Sequence, residues 1–171
     1  MALHERSVGA TSEWYTPPHV FDALGESFDL DPAYPIDREL PWIPVKNVHC
    51  VNADGLTAEW FKFVWLNPPF GGRNGIEPWL DRFFSHANGI ALAPDRTSAP
   101  WWQRAARRAD AILFVAPKLK FIGRDGKPGK SPAQGTCLFA AGDRACAALA
   151  RAQSAGLGVL AAPRIVGGQT K

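Results

Sequence analysis

Cysteine is scarce and scattered: Cys50, Cys137 and Cys146 form no C-x-x-C pair and do not cluster with the four histidines. That argues against a disulfide framework and a zinc site, and it fits a reduced compartment. No apolar run approaches the roughly 20 residues a membrane span requires. The opening Met1-Ala2-Leu3-His4-Glu5-Arg6 lacks the build of a secretory signal. The expectation is a cytoplasmic protein with no membrane and no metal among its partners. There is no internal repeat and no low-complexity tract. What remains is 171 residues, 46% of them hydrophobic, enough for one packed core. Seven tryptophans exceed the ordinary need of such a core, and most of them are expected to be packing residues.

Charge is sparse in net terms and uneven in placement. The formal net charge is +3, yet residues 1 to 60 hold three Lys/Arg against ten Asp/Glu, and residues 96 to 130 hold nine against two. The first region is suited to a cationic ligand. The second is a footprint for a phosphate backbone, unless both are simply solvated faces.

Periodicity and punctuation give the elements. Residues 1 to 12 read as a flexible arm, and residues 13 to 171 as one domain. Thr16-Pro17-Pro18 opens a helix that stops at Gly25. A strand over Phe28 to Asp31 is cut off by Pro32, residues 34 to 47 form a loop, and strands follow at 48 to 51 and 63 to 66. The spacing predicts a helix over 77 to 86, a strand over 89 to 93, a helix over about 99 to 109 and a strand over 111 to 115. A Gly/Pro/Lys-rich loop fills 117 to 135. A strand at 136 to 140, a helix at 143 to 154 and a last strand at 157 to 161 complete the chain. Strands alternating with helices predict a mainly parallel α/β sheet, with its ligands at the carboxyl ends of the strands.

The most informative stretch is Val64-Trp65-Leu66-Asn67-Pro68-Pro69-Phe70. A strand stops at a turn whose prolines lock φ and hold the preceding residue extended, so two acceptors stand fixed beside an aromatic ring. An exocyclic amine conjugated to a heterocycle is a poor nucleophile. If the Asn67 side-chain oxygen and the Pro68 carbonyl each accept one of its N–H bonds, its lone pair is biased out of the ring plane. Phe70 can stack on the base, an interaction of roughly 1–3 kcal/mol.

This turn belongs to an ordered set: Glu13-Trp14-Tyr15-Thr16-Pro17-Pro18, Phe28-Asp29-Leu30-Asp31-Pro32-Ala33, Ala53-Asp54-Gly55-Leu56, Asn67-Pro68-Pro69-Phe70 and Leu119-Lys120-Phe121. The set resembles the phage-type DNA N6-adenine methyltransferases. The resemblance implies a Rossmann-like fold and a site-specific enzyme of a bacterial host cell that uses S-adenosylmethionine on a flipped adenine of double-stranded DNA. It implies that Asn67, Pro68, Pro69 and Phe70 form the catalytic turn. Trp14, Thr16, Pro17, Asp31 and Asp54 match cofactor positions, with Asp31 near the methionyl amino group and Asp54 near the cofactor's adenine.

On the substrate side, Phe121 matches an aromatic position on the second face of the base. Arg96 and Trp101 match a segment at the cleft, where helix capping and packing are the other reading. Lys118, Lys120, Arg124, Lys127 and Lys130 are placed against DNA phosphates. The glycine-rich turn usual after the first strand of methyltransferases is missing, since Asp31 is followed by Pro32-Ala33-Tyr34-Pro35. Trp42 is either cofactor cover or core. No residue is assigned as general base, and the proton leaves to water. The alternatives are a protein-glutamine or RNA methyltransferase with the same motif, and a non-enzymatic nucleic-acid binding module.

Overall fold

A computed structural model describes residues 14–35, 39–50, 55–70, 75–130 and 133–163. The expected arm over 1 to 12 and the turn carrying Asp54 lie outside the described residues. The elements run in the order α1 (Pro18–Leu24), β1 (Phe28–Tyr34), β2 (Val45–Cys50), β3 (Val64–Leu66), α2 (Glu77–His86), β4 (Gly89–Pro94), α3 (Pro100–Arg108), β5 (Ala111–Val115), β6 (Thr136–Ala141), α4 (Asp143–Ser154) and β7 (Gly158–Ala161). Proline at the first position of α1 costs no hydrogen bond, and Gly25 ends the helix in the left-handed region at φ 61°.

The seven strands form one sheet in the order β2-β1-β3-β4-β6-β5-β7. The pairs β1–β2, β1–β3 and β3–β4 are parallel, whereas β4–β6, β5–β6 and β5–β7 are antiparallel. The expectation of a mainly parallel sheet is therefore corrected to a mixed one. The cause is the long segment after β5: it contains no helix to carry a crossover, so the chain turns back and lays β6 between β4 and β5, against the direction of both. Two further boundaries move. β1 passes through Pro32 to Tyr34, and its register with β2 shifts between Asp31 and Tyr34, an irregularity that accommodates the missing N–H. β2 starts at Val45, inside the stretch expected to be loop.

Alternation along the strands sends side chains to two cores. On one face Phe63, Trp65, Leu92 and Leu113 pack under α1 and α4. On the other Leu30, Val64, Leu66, Ala91 and Phe139 pack under α2 and α3. The result is helix, sheet, helix. Trp60, Trp65, Trp79 and Trp102 are buried, as packing residues should be, while Trp14 is exposed. Gly55 stands against the end of β1: a Cβ there would meet the Pro32 carbonyl oxygen at 2.1 Å, so no larger residue fits.

Because β1, β3 and β4 are parallel and β5 runs with them through the intervening β6, their carboxyl ends share one edge of the sheet. From that edge leave the turn at Asn67, the loop at Arg96 and the basic loop after Val115.

Candidate active site

At this edge Trp14, Tyr15, Thr16, Asp31, Ala33, Pro35, Leu40, Ile43, Trp65, Asn67, Pro68, Pro69 and Phe70 line one open cleft. The fold brings together residues from the segment before α1, the end of β1 and the end of β3. A second cleft, between His19, Lys118, Lys120 and the end of α4, is lined by no carboxylate and by no phenylalanine, tyrosine or tryptophan.

Asp31 is the one acid of the cleft lining, and it is only 3% exposed. It sits where β1 breaks register with β2, and its Oδ1 accepts from the Ala33 amide at 2.9 Å. Burial pushes its carboxyl up to about 7, against a smaller downward pull from that amide. Among the described residues no cation pairs with it. Its neighbour Asp29 differs: it bonds Lys46 at 3.0 Å and has a carboxyl held low by that bond, against the opposing effect of burial.

The turn after β3 is held from the side. Asn67 Nδ2 donates to the Trp14 carbonyl at 3.1 Å, which leaves Oδ1 as the amide's acceptor. Pro68 is buried, and among the described residues no amide donates to its carbonyl. Pro69 is exposed, and Phe70 is 36% exposed at the cleft. Trp14 is 42% exposed and lies over Gly129 of the basic loop, where a Cβ would fall 2.5 Å from its ring. Tyr15 and Ile122 bridge antiparallel beside it, which ties the segment before α1 to the basic loop by two backbone hydrogen bonds. Thr16 is fully buried, and its carbonyl accepts from Trp42 Nε1 at 2.9 Å, so Trp42 braces the cleft wall and packs against the core. Pro17 caps α1 with extended backbone directly after it.

Other candidates fall elsewhere. Phe121 is 6% exposed and belongs to the core under α1 and α4, not to the cleft lining. Trp101 lines a groove between α2 and α3 with Glu77 and Asp81, away from the cleft. Arg96 is exposed in the loop after β4, on the same edge as Asn67. The basic block divides: Arg104 pairs with Glu77 at 2.6 Å and Arg108 with Asp81 at 3.1 Å, while Lys118, Lys120, Arg124, Lys127 and Lys130 are exposed on the loop. Lys118 also donates to the Ala133 carbonyl at 2.8 Å. Part of the acidic excess is likewise structural, since Glu26 pairs with both Arg144 and Arg151. Among the described residues no group of three or more His, Cys, Asp or Glu could hold a metal ion, and no helix is long and apolar enough to cross a membrane.

A model of the DNA N-6-adenine-methyltransferase (Dam) family matches residues 6–143. The chain belongs to that family. No curated protein matches it. The Dam match runs from before Trp14 to the first residue of α4, and so includes every residue of the cleft and the whole basic loop. Family membership supports a DNA adenine methyltransferase.

The cleft also contains a residue that the motifs do not mark. Trp65 lines it from β3, two positions before Asn67. Period-two alternation, which puts residues 65 and 67 on one side of an extended chain, was the available signal.

Proposed function

We propose that this protein transfers a methyl group from S-adenosylmethionine to the N6 amino group of an adenine flipped out of double-stranded DNA, on a Rossmann-like methyltransferase sheet. The observation that carries the reading is the convergence of Thr16, Asp31 and the Asn67-Pro68-Pro69-Phe70 turn on one cleft at the carboxyl edge of the sheet. The cleft fits such a cofactor on its own terms. A buried carboxylate and a buried Thr16 hydroxyl, the first with no cation and the second with no hydrogen-bond partner among the described residues, are groups that a ligand carrying an ammonium and further polar atoms would satisfy.

Thr16, Pro17 and Asp31 would hold the cofactor's amino-acid end, with Trp14 at the rim and Asp54 assigned to its adenine. When bound, the cofactor supplies a methyl group on an electron-poor sulfonium. The chain's own residues do the rest. Asn67 Oδ1 and the Pro68 carbonyl accept from the target amino group and stabilise the positive charge that develops on it, while the rigid turn fixes its position. Phe70 stacks on the extruded base, offsetting part of the stacking lost in the duplex. Phe121 supports the cleft wall from the core in this conformation, and Trp14 is the other exposed ring available to a bound base or cofactor. The lysines of the loop and Arg96 face the phosphates. Transfer of labelled methyl to DNA, RNA and protein, offered separately, tests the reading: label on DNA adenine N6 is the expected result, and label on RNA or glutamine alone would overturn it.

A further inference from the structure

Four buried side-chain polar atoms lack a hydrogen-bond partner among the described residues: Thr16 Oγ1, Trp65 Nε1, Arg82 Nε and Thr136 Oγ1. Two of the four, Thr16 and Trp65, line the cleft that contains Asp31, and both residues are 0% exposed. The isolation of Trp65 is unusual for this chain. Trp42 Nε1 donates to the Thr16 carbonyl, Trp60 Nε1 to the Gly55 carbonyl and Trp102 Nε1 to Cys137 Sγ. Burial therefore does not by itself deprive an indole here of an acceptor. The ring is also firmly placed, with Phe21 edge-on at 4.8 Å and Phe28 at 5.4 Å between centroids.

An indole N–H can only donate, so its missing partner is an acceptor. A threonine hydroxyl can donate beside it, and an ionised Asp31 can only accept. Donors and an acceptor lining one cleft complement a ligand group that carries both an anion and a cation.

We propose that the Trp65 indole N–H, with the Thr16 hydroxyl, takes the α-carboxylate of the cofactor's amino-acid end while Asp31 takes its ammonium, making Trp65 a binding residue that selects the intact amino acid. This rests on the cofactor assignment above. The sequence motifs mark Asp31 and Thr16 but leave Trp65 as core, and packing accounts for its ring but not for a buried N–H without an acceptor.

The test is calorimetric binding of S-adenosylmethionine and of its decarboxylated analogue, which keeps the sulfonium and the ammonium, to the wild-type protein, Trp65→Phe and Thr16→Val. Wild type should prefer the intact cofactor. Trp65→Phe should weaken it about tenfold, the scale of one lost hydrogen bond to a charged group, and leave the decarboxylated analogue unchanged. Thr16→Val should act in the same direction. Equal weakening of both ligands by Trp65→Phe, or no weakening of either, overturns the proposal. A wild-type protein that binds neither ligand instead overturns the cofactor assignment. Should Trp65→Phe fail to fold, the assigned Trp65 indole resonance of the wild-type protein decides: a shift on adding the intact cofactor and not the analogue supports the proposal, and no shift with either sinks it.

Discussion

Replacing Asp31 with asparagine should make the protein more stable at neutral pH and less able to bind its cofactor. The carboxyl is 3% exposed, without a cation, and raised by burial from 3.8 to about 7. An acid whose pKa is raised on folding is protonated more tightly in the native state than in the unfolded chain. Below 3.8 both states are protonated and the group costs nothing. Between 3.8 and 7 stability falls as pH rises, and above 7 the full cost remains.

A shift of about 3 units at 1.36 kcal/mol per unit is about 4 kcal/mol, of which about 3 kcal/mol accrues between pH 5 and pH 8. Asparagine keeps an acceptor for the Ala33 amide, now bonded at 2.9 Å, and removes the charge. Urea unfolding of the ligand-free wild type and Asp31→Asn at pH 5 and pH 8 reads the difference directly. The variant should gain about 3 kcal/mol on the wild type over that interval. A constant difference would refute the argument from burial. In the same window wild-type affinity for S-adenosylmethionine should fall about tenfold per unit as pH drops below 7, because its ammonium needs the ionised carboxylate, while the variant binds weakly at every pH.

Three other perturbations separate the parts of the site. Phe70→Ala should raise the DNA KM by roughly 5- to 150-fold, the equivalent of 1–3 kcal/mol of base stacking, with cofactor affinity unchanged in calorimetry. Combined replacement of Lys120, Lys127 and Lys130 by alanine should weaken DNA binding at all sequences and reduce the slope of log K against log salt by about 3 in a filter-binding or anisotropy series, since each phosphate contact contributes about 0.9. Gly55→Ala would place a Cβ 2.1 Å from the Pro32 carbonyl oxygen and 2.6 Å from the Trp79 ring. It should cost about 1–3 kcal/mol in urea unfolding by overpacking.

The extents of α2, α3 and α4, and the end of β3 before Asn67, were legible because each element has one apolar stripe and a proline or glycine at its boundary. Strand direction beyond β4 was not. Alternating elements suggest parallel crossovers, and the actual signal was the helix-free stretch between Val115 and Thr136, whose return along β4 and β5 depends on long-range pairing. Pro32 looked like a strand end because proline cannot donate, yet a register break with β2 accommodates it. Within the site, the segment before α1 and the turn after β3 line one cleft, a juxtaposition set by long-range packing. Phe121 shows the limit of the motif: chain order places an aromatic near the base, while solvation places this one in the core. Trp65 went unmarked because a buried tryptophan reads as packing until its N–H is seen to lack an acceptor.

In the proposed reaction the Asn67 turn receives the amino group of adenine. This role is tested most directly by incubating wild type and Asn67→Ala with DNA and methyl-labelled S-adenosylmethionine, digesting the DNA to nucleosides and identifying the labelled one, with cofactor affinity measured on the same samples. The prediction is N6-methyldeoxyadenosine from the wild type, a loss of about 10²–10³-fold in the variant and near-equal cofactor binding by both. Label on cytosine, or an Asn67→Ala enzyme that still methylates adenine at the wild-type rate, would contradict it.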